Sequence, residues 1–232
     1  MSDIVFIGVS ILLALPSLLQ FLSALSYKRG RFIGNLTTHV RTQISSGRVW
    51  LPLSCIGGMI LLPFSLAAGN PAVNTVVLCI CGGQLLNWMT PPSLLLLGVS
   101  GSRCNELLPV LPALFPVKFI HLLRDNYGDS ERGYDLKLHT LFTTSRTSGA
   151  IAWEKVVSIY LKSCEKVLVD LRQHSGNLHV ELSMIASMND KTKVLFLVDG
   201  ETSGTEFPLI NSARRQVCTS VNDAVWRLKT GY

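Results

Sequence analysis

Charged side chains are scarce in this 232-residue chain, and long stretches contain none. They make up 16% of the residues, whereas hydrophobic residues make up 48%. Residues 4–26 hold no charge, and residues 49–102 contain no Asp, Glu, Lys, Arg or His. This shortage excludes intrinsic disorder and does not fit a soluble surface along the whole chain. We therefore expect part of the protein to lie in lipid.

One bilayer crossing needs about 20 apolar residues, and the two uncharged stretches are long enough for three crossings. Residues 1–26 are predicted to form the first transmembrane helix. Residues 49–90 are predicted to form a transmembrane hairpin with spans at about 50–68 and 73–90, because the GNPAVN between them is typical of a turn. Two spans instead of three is the alternative, and it would move the C-terminal region to the other side of the membrane.

Acidic residues are absent from the segment 27–48, which is predicted to be a basic cytoplasmic loop between the first two spans. Its five cations are Lys28, Arg29, Arg31, Arg41 and Arg48. Short loops rich in Lys and Arg stay in the cytoplasm, so this loop orients the chain. The loop either sets the topology alone or also binds anionic lipid or a phosphate-bearing partner.

With three spans, this orientation predicts a multi-pass membrane protein whose residues 91–232 form a cytosolic domain. Trp50 begins the second predicted span and Trp88 ends the third, and tryptophan is enriched at the membrane interface. Two tryptophans buried in protein are the alternative.

Motifs for metal, nucleotide-loop and nucleic-acid binding are also missing. The sequence has no CxxC pair and no HxxxH or HExxH spacing, so no metal site is predicted. The GVSGS after the first predicted strand lacks the Lys of a phosphate-binding P-loop. Residues 104–232 carry 15 basic and 14 acidic side chains, so direct nucleic-acid binding is not indicated.

Beyond residue 91, short apolar runs alternate with segments of helical period. This pattern predicts an α/β fold with a small, doubly wound, largely parallel sheet. The predicted strands lie at 93–100, 117–124, 166–171 and 193–198, and the predicted helices lie at 103–114, 151–163, 177–188 and about 213–229. In the polar stretch 125–149, one strand near 138–143 is expected.

Sheets of this kind bind ligands in the loops beyond the carboxyl ends of their strands. The candidate ligand-binding residues therefore lie at the carboxyl ends of the first and third predicted strands or in the loops that follow, and they are Gly98, Ser100, Gly101, Ser102, Ser175, Gly176 and Asn177. Asn177 would cap the next helix, and exposed amides there could hold a phosphate or a ribose.

Two carboxylates are the candidate catalytic residues. Glu181 falls within an apolar helix face formed by Leu178, Leu182 and Ile185. An acid in that position has to open onto a cleft, be paired or have a shifted pKa, and these properties mark functional acids. The alternative for Glu181 is a solvated acid in the first helical turn. Asp170 ends a predicted buried strand and would face the same crevice, and a loop-capping Asp is the alternative there.

The segment VLVDLRQHSGNLHVELSMI, followed by KVLFLV, resembles the strand-loop-helix-strand core of nucleoside deoxyribosyltransferase-like and TIR-like domains. In these families, an acidic residue at the position of Glu181 is the catalytic glutamate that acts on an N-glycosidic bond. Asp170 resembles the ligand-contacting Asp of the deoxyribosyltransferases. The resemblance implies NAD or another nucleotide as ligand or substrate.

A small α/β domain behind membrane spans also resembles, in architecture, the transmembrane effectors of bacterial antiphage systems, including retron systems. The first hypothesis is an effector whose cytosolic domain senses a ligand or partner and triggers inner-membrane disruption and cell death. The alternatives are a membrane-tethered N-glycosidase or transferase that acts on NAD or a nucleotide through Glu181, and a membrane-localised receptor for a nucleotide or a protein. The expected partners are the lipid bilayer, a cytosolic regulatory protein or ribonucleoprotein, and further copies of the chain.

Overall fold

The chain divides into two units, Met1–Pro91 and Pro92–Tyr232. The computed structural model describes residues 2–27, 32–45, 49–67, 71–98, 106–107, 109–123, 135–139, 144–148, 153–172, 178–188, 193–199 and 216–230.

The described part of the first unit consists of helices. They are α1 (Ser2–Tyr27), α2 (Phe32–Ser45), α3 (Trp50–Ala67) and α4 (Pro71–Met89). Helices α1, α3 and α4 coincide with the three predicted spans, and the predicted basic loop contains α2. Helix α4 packs against both α1 and α3.

Glycines permit the close packing of α4 against its two neighbours. A Cβ atom on Gly83 of α4 would lie 3.2 Å from the Cα of Ala14 in α1. A Cβ atom on Gly58 of α3 would lie 3.1 Å from the Sγ of Cys81 in α4. Small residues allow helix backbones to approach in this way, so each contact depends on a missing side chain.

Two described helical segments, Ile4–Ser26 and Pro71–Met89, are long and apolar enough to cross a membrane. Little of either helix is buried within the protein, and large apolar side chains such as Ile4, Phe6 and Leu12 are exposed. The second predicted span, at about 50–68, is not among these segments and stays a prediction.

The described strands of the second unit form one seven-stranded sheet. They are β1 (Leu94–Leu97), β2 (Phe119–Leu123), β3 (Asp135–His139), β4 (Thr144–Ser148), β5 (Lys166–Asp170), β6 (Val194–Leu197) and β7 (Val217–Cys218). Their order is β4-β3-β2-β1-β5-β6-β7. The five strands from β2 to β7 in this order are parallel, β3 is antiparallel to β2, and β4 is antiparallel to β3. The predicted α/β class with a largely parallel sheet is confirmed.

Helices cover both faces of this sheet. They are α5 (Trp153–Ser163), α6 (Leu178–Ala186), α7 (Val221–Thr230) and a 3₁₀ helix at Leu111–Leu114. Successive residues of β1 alternate between the faces: Leu95 and Leu97 pack with α5 and α6, whereas Leu94 and Leu96 pack with the 3₁₀ helix and α7. A strand buried on both faces is apolar throughout, which explains the LLLL of β1.

The structure corrects the single strand predicted near 138–143. Strand β3 overlaps the start of that range and ends at His139, and β4 follows the range at Thr144–Ser148. Strand β3 is antiparallel to β2, from Phe119 opposite His139 to Leu123 opposite Asp135, and β4 is antiparallel to β3. Leu136 and Leu138 alternate with charged and polar residues along β3. This alternation is typical of a strand that is apolar on one side only, and it begins three residues earlier than predicted.

Two of the predicted helices also differ from the structure. The helix predicted at about 213–229 begins at Val221, because Val217–Cys218 pairs with β6 as the short strand β7. The helix predicted at 103–114 is reduced, in the described residues, to residues 106–107 and the 3₁₀ helix. Pro109 and Pro112 interrupt regular helical hydrogen bonding there.

Candidate functional site

The carboxyl ends of β1 and β5 lie side by side at the point where the strand order reverses. The two strands pair in parallel, with Leu97 opposite Val169. From β1 the chain proceeds to β2 on one side, and from β5 it proceeds to β6 on the other. In open α/β sheets, ligands bind in the crevice that such a reversal creates. This end of the two strands is therefore the candidate site.

Gly98 directly follows β1 and allows its end to approach β5. Its φ angle is +70°, in the left-handed region that favours glycine. A Cβ atom on Gly98 would lie 2.3 Å from the carbonyl oxygen of Asp170. Any other residue at this position would force the two strand ends apart, so the contact between them requires glycine.

Glu181 lies in the first turn of α6 and directs its carboxyl group at Gly98. The Gly98 N–H donates a hydrogen bond of 3.0 Å to Glu181 Oε2. Glu181 is only 5% exposed and shares its helix face with the buried Leu178 and Leu182. Burial raises the pKa of Glu181 to about 7, and the hydrogen bond from Gly98 opposes this rise because it stabilises the ionised form. Glu181 is therefore able to gain or lose a proton near neutral pH.

Asp170, the last residue of β5, is held by Arg172. The Arg172 backbone N–H donates to Asp170 Oδ1 over 3.1 Å. Its guanidinium donates from Nε to Oδ1 over 2.9 Å and from Nη2 to Oδ2 over 2.7 Å. Hydrogen bonding to Asp170 is the main reason that the pKa of Arg172 is raised. This bidentate pair matches the loop-capping alternative for Asp170, whose charge is balanced by Arg172.

Arg172 also connects the segments that follow β1 and β5. Its Nη1 donates to Glu106 Oε2 over 3.0 Å, and the Glu106 side chain is half exposed. The sequence analysis missed both Arg172 and Glu106. The Asp-x-Arg spacing at 170–172 is a local signal for the first pair, whereas the contact with Glu106 joins residues 66 positions apart and has no local signal.

The described part of the site therefore combines three carboxyl groups with one guanidinium. A protonated Glu181 can donate a hydrogen bond to a phosphate or carbonyl oxygen of a ligand, and an ionised Glu181 can accept one from a ribose hydroxyl. The Gly98 N–H already donates to Glu181, so a ligand receives this hydrogen bond only by displacing the carboxyl group. The other predicted ligand-binding residues lie outside the described residues, and they are Ser100, Gly101, Ser102, Ser175, Gly176 and Asn177.

The residues predicted to orient the chain belong to the first unit. Arg41 is exposed on α2, Trp50 is the first residue of α3, and Trp88 is the penultimate residue of α4. Trp50 is 77% exposed and Trp88 is half-buried. Both tryptophans lie at helix ends. The remaining cations lie outside the described residues, and they are Lys28, Arg29, Arg31 and Arg48.

Two further observations concern metal ligands and thiols in the described part of the chain. No group of three or more His, Cys, Asp or Glu side chains there could hold a metal ion. Burial raises the pKa of Cys218 to about 12, so its thiol stays protonated. Comparison with protein-family models, curated proteins and solved structures finds no match for the chain. Its function therefore has to be argued from the sequence and the geometry of the site.

Proposed function

We propose that this chain is a membrane-anchored effector of a bacterial antiphage defence system. Its α/β unit is a doubly wound domain that faces the cytoplasm and binds a nucleotide-type ligand beside Glu181. Ligand binding, or release of a regulatory protein or ribonucleoprotein, rearranges the membrane helices and disrupts the inner membrane. The antiphage role is supported by the architectural resemblance described above.

The burial of Glu181 at the strand-order reversal is the observation that carries the ligand-binding proposal. Burying an ionised carboxyl group costs several kcal/mol of folding free energy unless the group is paired or neutralised. Glu181 at this position therefore lowers the stability of the fold. The hydrogen bond from Gly98 compensates only part of that cost, because the pKa is still raised. Buried acids of this kind concentrate at functional sites.

The apolar surface of α1 and α4 supports the membrane anchor. A core helix of a soluble protein buries most of its apolar side chains, whereas little of these two helices is buried. Exposed apolar side chains that extend along two whole helices mark a surface that is covered by a partner or by lipid. Three spans with the basic segment 27–48 inside would place the α/β unit in the cytoplasm.

A second candidate function is an N-glycosidase or transferase that acts on NAD or another nucleotide. It is favoured by the different environments of the two carboxyl groups. Arg172 balances the charge of Asp170, whereas Glu181 titrates near neutral pH. Glu181 alone would then act as nucleophile or stabilise an oxocarbenium-like transition state. A receptor that only localises a nucleotide or protein at the membrane is the third function the site allows.

Induced expression in bacteria tests these functions, with a membrane-potential dye and cellular NAD followed in parallel. The effector predicts depolarisation while NAD remains intact, and the enzyme predicts that NAD falls first. Replacing Glu181 by Gln removes a charged hydrogen-bond partner of the ligand, which is worth about 1.5–3 kcal/mol, or roughly tenfold or more in affinity. We expect Glu181→Gln to delay the response strongly.

The matched control is Glu154→Gln, because Glu154 is an exposed acid in the first turn of α5. This variant is expected to behave like the unmodified protein. Depolarisation that is equally fast in Glu181→Gln would contradict the role of Glu181. Cells that lose neither membrane potential nor NAD would contradict both the effector and the enzyme.

A further inference from the structure

Helix α2 turns polar side chains towards the rest of the first unit. His39, Thr42 and Gln43 are buried, and Gln43 has no exposed surface. The His39 Nε2–H donates to the backbone carbonyl of Trp88 over 3.2 Å. Trp88 lies in the last turn of α4, where carbonyl groups lack helical partners. Its bond to His39 therefore places α2 beside the end of a predicted membrane span.

The apolar side chains of α2 lie on an adjoining face that the protein covers only in part. Leu36, Val40 and Ile44 follow one another at four-residue spacing, so they form one stripe along the helix. Leu36 and Val40 are half-buried, and Ile44 is 51% exposed. A helix on a protein surface in water shows the opposite arrangement, with its apolar face inward. In α2 the buried face is polar and the apolar stripe is partly exposed, an arrangement that is favoured where the medium outside the stripe is apolar.

Basic residues accompany the stripe. Arg41 is exposed on α2 three positions before Ile44, and residues at this spacing share one side of a helix. In the sequence, Lys28, Arg29 and Arg31 precede α2, and Arg48 follows it, with no acidic residue anywhere in 27–48. Each Lys or Arg near an anionic bilayer surface adds to the electrostatic attraction between the segment and the lipid.

We propose that α2 is an interfacial helix that lies in the surface of an anionic bilayer. Its stripe of Leu36, Val40 and Ile44 occupies the boundary between headgroups and acyl chains. Arg41 and the cations that flank α2 in the sequence contact the lipid phosphates. The inference rests on the membrane anchor proposed above and adds a second kind of membrane contact. The segment 27–48 is then a lipid-binding element as well as a determinant of topology.

Photo-crosslinking to lipid tests this inference in the full chain, reconstituted in vesicles of phosphatidylethanolamine and phosphatidylglycerol. A benzophenone-bearing residue replaces Ile44, Thr38 or Leu12 in three separate proteins. Thr38 is an exposed residue on another side of α2, and Leu12 is an exposed apolar residue of α1. We expect lipid adducts at positions 44 and 12, and several-fold fewer at position 38.

The lipid composition of the adducts tests the role of charge. We expect adducts at position 44 to be enriched in phosphatidylglycerol over its share of the vesicle, and Arg41→Gln to reduce this enrichment. Thr38→Gln, in a separate protein, is the control and is expected to leave it unchanged. Three outcomes would overturn the inference, provided that position 12 still gives lipid adducts. They are equal yields of lipid adducts at positions 38 and 44, crosslinks from position 44 to a second copy of the chain, and no enrichment of phosphatidylglycerol in the adducts. Absence of lipid adducts at position 12 would instead overturn the membrane anchor itself.

Discussion

Glu181 is subject to two opposing influences, and their balance makes stability depend on pH. Burial favours the neutral carboxyl group, and the hydrogen bond from Gly98 favours the ionised one. The pKa in the folded protein, about 7, is higher than its ordinary value of 4.5, so the folded state holds this proton more tightly than the unfolded state. The contribution of Glu181 to stability is therefore greatest below about pH 4.5 and falls as pH rises to about 7.

Replacing Glu181 by Gln removes this pH dependence. Near pH 5 the variant and the unmodified protein should have similar unfolding free energies, because Gln resembles the protonated acid. Near pH 8 the variant should be more stable by up to about 3 kcal/mol, since the unmodified protein then buries a charge. Hydrogen exchange of the buried β5 amides, compared between variants at each pH, measures the difference.

The control for this experiment is again Glu154→Gln on the exposed face of α5, which should show no such change with pH. A stability difference between Glu181→Gln and the unmodified protein that is the same near pH 5 and near pH 8 would contradict the account of the buried carboxyl group.

Single residues differ in how far the sequence could reveal them. The position of Glu181 on an apolar helix face can be predicted from the helical period, because the face is formed by Leu178, Leu182 and Ile185, which are close to it in the sequence. The end of a buried strand allows either a catalytic or a capping role for Asp170, and its bonds to Arg172 two residues later favour capping. The hydrogen bond from Gly98 to Glu181 joins residues 83 positions apart, so no local pattern contains it.

At the scale of helices, Gly82 and Gly83 form a matched pair for testing the contact between α1 and α4. A Cβ atom on Gly83 would meet Ala14 at 3.2 Å, whereas one on Gly82 has nothing within 4 Å. Both changes to Ala gain about 1 kcal/mol of helix propensity. Only Gly83→Ala also overpacks the interface, at about 1–3 kcal/mol.

We therefore expect Gly82→Ala to raise the thermal stability of the full chain in micelles. The Gly83→Ala variant should be less stable than the Gly82→Ala variant by the cost of overpacking. Equal stability of the two variants would show that α1 and α4 do not pack through Gly83.

The elements that the sequence analysis missed are those that depend on distant partners. Strand β7 has only two residues, too few for a period, and exists because it pairs with β6. Strand β4, TSRTS, has no apolar residue and pairs with β3. The packing of α2 could not be predicted either. An amphipathic helix usually buries its apolar face, whereas α2 packs against α4 with buried polar side chains.

At the scale of the whole molecule, the division into an apolar helical unit and an α/β unit could be predicted because each depends on long runs of composition. The alternation of apolar runs with helical segments likewise predicts the class of the second unit. The position of the site follows from the strand order, in which β1 and β5 are neighbours. That order depends on pairing between strands about 70 residues apart, which no local sequence pattern shows. From the sequence, the site could be expected only at the carboxyl ends of the strands, by the general rule for parallel sheets.

The orientation of the chain in the membrane is the central claim, because it decides which compartment the site beside Glu181 samples. Reporters fused after Tyr232 measure it directly: a green fluorescent protein that folds only in the cytoplasm, and an alkaline phosphatase that is active only in the periplasm. If the α/β unit faces the cytoplasm as proposed, the fusions give fluorescence and an inactive phosphatase, and the chain stays in the membrane after carbonate washing. An active phosphatase without fluorescence, or release of the chain by carbonate, would contradict it.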